Sequence, residues 1–292
     1  YTPTHTLSLH DALPIYLIEI ATYVYCADQA IARGQQDVEV FGENWRRDLH
    51  FIVPVRDPEF WRSTPVMECL QDTLGFLSDD WYEFEFRPLK ESCPFQCYLD
   101  LCPDNSTFGN PERVVMFCGG LDSLGGAVEE TVNQRRNIVL VTHKSTPKLN
   151  TRLRALDDAL ATKADENRPF HIGVRINKNK TLNREYTQRS RSFLYASLGA
   201  TISEMLGLSN IRFYENGVIS LNLPVCAQVV GGRATRTTHP RVLRGFQQMF
   251  SLVAERTFEI DNPFIWKTKG EVVDLIARSG CAAMIGLSTS CT

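Results

Sequence analysis

The sequence predicts an open, parallel-sheet α/β domain preceded by a smaller α+β region, and three features carry that expectation. Val114 to Phe117 is a short continuous apolar run; a glycine-rich turn follows, then an apolar-faced helix (Leu124, Ala127, Val128, Val132) and a second apolar run, Ile138 to Val141. Strand, helix and strand at this spacing form a βαβ unit, which requires a parallel sheet with covered faces. Upstream, Trp81 to Phe86 sets Tyr82, Phe84 and Phe86 against Glu83 and Glu85, the period of two that marks a half-buried strand. Between these patterns, Pro103 to Pro111 is a cluster of turn formers, the mark of a linker or domain boundary. The expected organisation is an N-terminal α+β domain over 16–110 and an α/β domain over 111–292.

The remaining elements follow in order. Tyr1 to Ile15 has neither a cationic segment nor an apolar core, so it does not read as a signal peptide, and it has no helical or strand period. Ser8 to Ile15 resembles the translation of a sequencing-adapter fragment, so 1–15 is expected to be non-native and outside the fold. From Tyr16, Leu17, Ile20, Ala21, Val24, Ala27 and Ile31 recur at helical steps towards a C-cap at Gly34. Leu49 to Val55 reads as a strand, placed at an edge by Pro54. Beyond the βαβ unit, strands are expected at His171 to Ile176 and Asn210 to Tyr214, with helices over Arg189 to Gly207 and Lys269 to Ser279.

Composition bounds the function. With 292 residues, 43% of them hydrophobic, the chain can bury one large core or two modest ones. A net charge of −3 and a pI of about 6.1 argue against nucleic-acid binding through a broad basic face, leaving small molecules or other proteins as partners. Nine cysteines are an odd number in a chain far longer than a disulfide scaffold, which fits free thiols in a reducing cytoplasm. No stretch approaches the ~20 apolar residues of a membrane helix, so a soluble, cytoplasmic protein is expected.

The chemistry concentrates at Cys118-Gly119-Gly120-Leu121-Asp122-Ser123, where a strand meets a helix N-terminus. Open parallel sheets bind ligands at such corners. Adjacent glycines let the backbone approach an anion, and the unpaired first-turn amides favour phosphate. The G-x-x-x-x-G-K-[ST] pattern is absent, which disfavours γ-phosphate chemistry of the kinase or GTPase kind.

This segment resembles the PP-loop, S-G-G-x-D-S, of enzymes that cleave ATP between its α and β phosphates and transfer AMP to an oxygen. The resemblance implies that Gly119, Gly120 and Ser123 grip the departing pyrophosphate, that Asp122 supports Mg²⁺ or the loop itself, and that Cys118 and Leu121 complete the nucleotide contact. Cys118 departs from the family's serine and exchanges a strong hydroxyl hydrogen bond for a weak thiol donor.

Residues 112–292 further resemble the 7-cyano-7-deazaguanine synthase (QueC-like) family. Arg189-Ser190-Arg191 opens a helix where that family has an arginine motif beside the nucleotide, which assigns Arg191 to the cofactor. Cations at a helix start oppose its dipole, so an anion nearby would relieve them; a solvated basic turn is the alternative. Tyr214 and Asn216, in a loop after a strand, are expected substrate contacts, as are Arg236 and His239 in a cationic segment with Arg233; ordinary turns and exposed loops are the alternatives. Lys269 corresponds to the lysine that stabilises charge during AMP transfer, with Lys267 competing for that role. Cys291 matches the first of about four zinc ligands in the family, so the chain is expected to be truncated within its zinc segment. Cys93, Cys97 and Cys102 lack zinc-pair spacing and read as ordinary thiols.

In the implied reaction the carboxylate of 7-carboxy-7-deazaguanine attacks the α-phosphate of ATP and pyrophosphate leaves; ammonia then displaces AMP to give an amide, and a second activation dehydrates it to the nitrile. ATP and Mg²⁺ are the implied cofactors, with Zn²⁺ in a complete chain, and a homodimer is compatible. The region 16–110 resembles the extra domain of QueC-like proteins encoded in bacterial antiviral cassettes, which suggests, as an alternative, ligation of a deazaguanine to a partner protein. A nucleotide-binding regulator without turnover is the non-enzymatic alternative. Other PP-loop activities, such as tRNA thiolation or NAD or GMP synthesis, find less support, because paired catalytic cysteines and a basic surface are not evident.

Overall fold

The structure is a computed structural model that describes residues 9–33, 46–90, 110–144, 148–177, 189–223 and 235–289. Helix α1 (Leu9–Ala30) begins inside the stretch expected to be non-native and carries Pro14 within it. Pro14 interrupts the apolar period, which hides the first turns from a sequence reading; its carbonyl accepts a hydrogen bond from Thr201 Oγ1 at 3.2 Å. Leu17, Ile20, Ala21 and Val24 are buried, as their spacing predicts.

Strands β1 (Asp48–Val55) and β2 (Trp81–Pro88) pair in parallel, with Asp48 opposite Trp81 and Val55 opposite Pro88. Helices α2 (Pro58–Arg62) and α3 (Thr64–Ser78) form the crossover between them. Both strands of a two-stranded sheet are edges, which accommodates Pro54. The alternation in β2 is realised: Tyr82, Phe84 and Phe86 are buried, and their rings stack along one face at 6.2 and 5.8 Å.

The second sheet contains β3 (Arg113–Met116), β4 (Ile138–His143), β5 (Phe170–Val174), β6 (Asn210–Arg212) and β7 (Glu259–Asp261), all parallel, in the order β5-β4-β3-β6-β7. The chain adds strands on one side of β3 and then on the other, so the corner after β3 is a topological switch point. One face is covered by α4 (Leu121–Val128), α5 (Lys148–Ala164) and α9 (Lys269–Arg278), whose Leu124, Leu156 and Val272 pack with Val115 and Phe117. A π turn over Glu129–Asn133 extends α4. The other face packs Val114 and Met116 against α6 (Arg191–Met205) and α8 (Pro240–Ala254).

The two expected domains share a hydrophobic core. Helix α1 packs on α6 and α3 on α8, and residues of β1 and β2 belong to the same buried cluster as β3. A buried ionic network joins them as well. Arg47 Nη2 lies 2.6 Å from Asp28 Oδ1 and 2.7 Å from Asp80 Oδ2, and Arg33 pairs with Asp80 at 2.6 Å. The other Asp28 oxygen accepts from the Ser190 amide at 3.1 Å and its hydroxyl at 3.0 Å, which anchors the start of α6. Among the described residues, no helix is long and apolar enough to cross a membrane.

Candidate functional site

The turn after β3 is held from both sides. Gly119 has φ +75°, a conformation that L side chains rarely adopt. Cys118 N–H donates to Ser123 Oγ at 3.3 Å, and Ser123 Oγ donates to the Gly120 carbonyl at 3.0 Å. The Cys118 sulfur lies 3.4 Å from the same hydroxyl, so Cys118 and Ser123 form the loop's internal clasp. Leu121 N–H donates to the Thr289 carbonyl at 3.3 Å, while Thr289 N–H donates to Gly119 O at 3.1 Å. Arg152 fixes this strap through the Thr289 hydroxyl at 2.6 Å. Among the described residues, the amides of Asp122 and Ser123 meet no protein acceptor, which leaves two first-turn donors of α4 for an anion.

Asp122, 5% exposed, is the centre of the site. Its Oδ2 accepts from Asn216 Nδ2 at 3.0 Å and from Lys269 Nζ at 3.1 Å. Its Oδ1 is buried and meets no N–H or alcohol donor among the described residues. Asn216 follows β6 and caps α7 (Gly217–Leu221), where its Oδ1 accepts from Ile219 N–H at 3.2 Å. Gly217 permits this close docking: a Cβ there would stand 2.2 Å from the Ile265 carbonyl oxygen, a backbone atom.

Lys269 opens α9, whose start is set by a reciprocal capping box between Thr268 and Glu271. Lys267 is directed elsewhere, with its Nζ 5.8 Å from the Phe264 ring centroid. Of the two competing lysines, Lys269 is therefore the one at Asp122.

Glu215, between the two expected substrate contacts Tyr214 and Asn216, completes the cluster. Asn262 grips its backbone, accepting from Glu215 N–H at 3.1 Å and donating to Glu215 O at 2.9 Å. Burial, and then hydrogen bonding to Asp122 and its charge, push the Glu215 carboxyl up to about 8, against the opposing influence of Lys269. The unfolded chain releases this proton near the ordinary value of 4.5 while the folded chain retains it. The contribution of Glu215 to stability is therefore full below the unfolded value and declines as pH rises through the folded one. In metal-free buffer, Glu215→Gln is expected to flatten this part of the stability profile, read from urea unfolding between about pH 5 and pH 9. Parallel wild-type and variant profiles would contradict the shared proton.

The other expected site residues have different surroundings. The Tyr214 hydroxyl donates to buried Glu130 at 2.5 Å and its ring packs on Phe264, behind α4 rather than at Asp122. Arg236 donates to the Phe76 carbonyl at 2.6 Å and covers the Phe76 ring at 4.6 Å. His239 packs against the same ring at 5.1 Å and caps α8 through Arg241 N–H. These two side chains secure α3. The anion beside the Arg189-Ser190 turn is Asp28 of the chain itself. Arg191 and Cys118 instead share a neighbour, Tyr195, whose hydroxyl is shifted well upward by burial first, raised further by Cys118 and lowered by Arg191.

Cys291, Arg233, Cys93, Cys97 and Cys102 lie outside the described residues. Among the described residues, no group of three or more His, Cys, Asp or Glu side chains could hold a metal ion. No protein-family model matches the chain, and no curated protein matches it in sequence.

Proposed function

We propose that the corner between β3 and α4 binds ATP and that the protein adenylates a carboxylate, releasing pyrophosphate. The observation that carries this reading is Asp122, buried at the switch point beside two unbonded helix amides and joined to both Asn216 and Lys269. In the reaction, a carboxylate oxygen bonds to the α-phosphorus, and the bond from that phosphorus to the α,β-bridging oxygen breaks. Pyrophosphate leaves with the electron pair. The amides of Asp122 and Ser123 and the dipole of α4 hold the departing anion. Lys269 supplies a preorganised positive charge for the phosphates. Once the proton held at Glu215 is released, the Asp122 and Glu215 carboxylates would offer the hard oxygens that Mg²⁺ prefers, and the ion would neutralise phosphate charge when bound.

By the family resemblance, the carboxylate belongs to 7-carboxy-7-deazaguanine and ammonia receives the acyl group, with a protein amine as the alternative acceptor. A second reading, nucleotide binding without turnover, draws on the Leu121 amide, which is engaged by Thr289, and on Cys118 in place of a hydroxyl. Incubation with Mg-ATP, ammonium and 7-carboxy-7-deazaguanine separates these readings. Substrate-dependent AMP, pyrophosphate and a nitrile product are expected. AMP without free nitrile would direct the search to a protein acceptor, whereas ATP binding without AMP would favour the regulator.

A further inference from the structure

Behind the loop, three side chains outside the Asp122 cluster are aligned. Thr142 is the penultimate residue of β4, His171 lies on β5 and Asp157 on α5. His171 Nε2 is 2.7 Å from Thr142 Oγ1, and its Nδ1 is 2.7 and 2.8 Å from the two Asp157 carboxylate oxygens. Hydroxyl, imidazole and carboxylate in this order have the connectivity of a nucleophilic triad. Thr142, however, is 1% exposed and its hydroxyl donates to the Phe117 carbonyl. Its proton is committed and a substrate cannot reach the oxygen.

The Thr142 bond instead fixes a peptide plane. The peptide linking Phe117 to Cys118 has its carbonyl on Thr142 and its N–H on Ser123 Oγ, so both ends are anchored. The Phe117 amide donates to Val141 O at 2.8 Å, and the Phe117 ring meets the His171 ring edge-on at 5.6 Å. This peptide opens the glycine turn, and its orientation sets where the amides that follow point.

We propose that His171, held by Asp157, is a positioning residue: through the Thr142 hydroxyl it fixes the Phe117 carbonyl and hence the geometry of the Cys118–Ser123 loop. The inference concerns the loop's geometry, and it rests on the nucleotide reading only for its consequence in binding. Thr142 Oγ1, whose own proton is on Phe117, accepts from His171 Nε2–H, and Asp157 accepts from Nδ1–H and sets the ring's rotation, so both ring nitrogens donate and the Asp157 carboxylate offsets the charge this places on the ring. A carboxylate that orients an imidazole in this way is a familiar device, here applied to backbone rather than to bond cleavage.

The test compares Thr142→Val, which removes the hydroxyl at nearly constant shape, with Thr142→Ser, which retains it. Amide hydrogen exchange is read residue by residue in the ligand-free protein, together with the His171 ring N–H resonance. Thr142→Val is expected to accelerate exchange at Cys118 by about tenfold, the effect of losing one hydrogen bond. Thr142→Ser should retain the slow rate, and amides of β5 and α6 should be unchanged in both.

Asp157→Asn, at a partly exposed position, should hasten exchange of the His171 ring proton and loosen Cys118 to a lesser degree. It serves if the valine variant does not fold. Unchanged Cys118 exchange in Thr142→Val and Asp157→Asn, or equal acceleration in the serine and valine variants, would overturn the proposal. Binding of α,β-methylene-ATP with Mg²⁺ is measured in parallel and should weaken in the valine variant alone. If the analogue binds neither wild type nor variants, the nucleotide reading fails while the exchange data still decide the positioning role.

Discussion

Replacing Asp122 by Asn is expected to lower AMP and pyrophosphate release by about 10²- to 10³-fold, the range seen when one preorganised electrostatic contact is removed from a reacting centre. The change is nearly isosteric, so its effect is one of charge. Asp122 Oδ2 is the acceptor that unites Asn216, from the loop after β6, with Lys269, from the start of α9. A neutral amide turns its donor towards either Lys269 or Glu215, weakens the hold on the lysine and removes a carboxylate suited to a cation. ATP turnover with quantified AMP is the measurement, accompanied by a melting curve. A variant that folds normally and retains wild-type AMP formation would sink the assignment of Asp122. Lys269→Ala should cause a loss of similar size, through the phosphates rather than through Asp122.

Arg47→Ala is expected to destabilise the protein by about 3–5 kcal/mol, the cost of breaking a buried ion pair by removing one partner. Arg47 bonds Asp80 through Nε at 3.1 Å and Nη2 at 2.7 Å, Asp28 at 2.6 Å, and the carbonyls of Asp28 and Ile31 at 3.0 and 2.6 Å. Its removal leaves two buried carboxylates facing Arg33, which lies 3.4 Å from Asp28 and 2.6 Å from Asp80. Asp28 also anchors Ser190, so the damage should propagate to α6. Burial opposes ionisation of Asp80, but Arg47's hydrogen bonds and charge outweigh it and hold the carboxyl below its ordinary 3.8. The Asp80 contribution is therefore present above about pH 3.8 and lost as pH falls through the folded value. The gap between wild type and variant should narrow in acid. Urea midpoints at neutral and acidic pH test both statements; a loss below about 1 kcal/mol at neutral pH would mean that Arg33 suffices.

Much of the chain was legible because its signals are local. The apolar run of β3, the paired glycines and the start of α4 lie within a few residues of one another, and the alternation of β2 announces its buried face. Helix α8, beyond the elements expected from the sequence, carries a local signal too: Val242, Phe246, Met249, Phe250 and Val253 recur at helical steps after Pro240 and are all buried. Helix α5 was harder to find, because its polar residues leave only Leu153, Leu156 and Leu160 to mark the buried stripe.

The sequence by itself determined the all-parallel βαβ character, the glycine turn at a strand-to-helix corner and the chemical types gathered there. Only the tertiary structure decided which distant side chains meet at that corner. Glu215 reaches Asp122 because β6 pairs beside β3, whereas Tyr214, one residue earlier, turns behind α4 to Glu130. Arg236 and His239 are spent on Phe76, and the basic turn before α6 finds its anion in Asp28. The shared core likewise depends on α1 and α3 meeting α6 and α8. Periodicity reports which face of an element is apolar, because that preference is written every two or four residues. Partners across a sheet or between helices depend on strand order and packing, which no local pattern encodes.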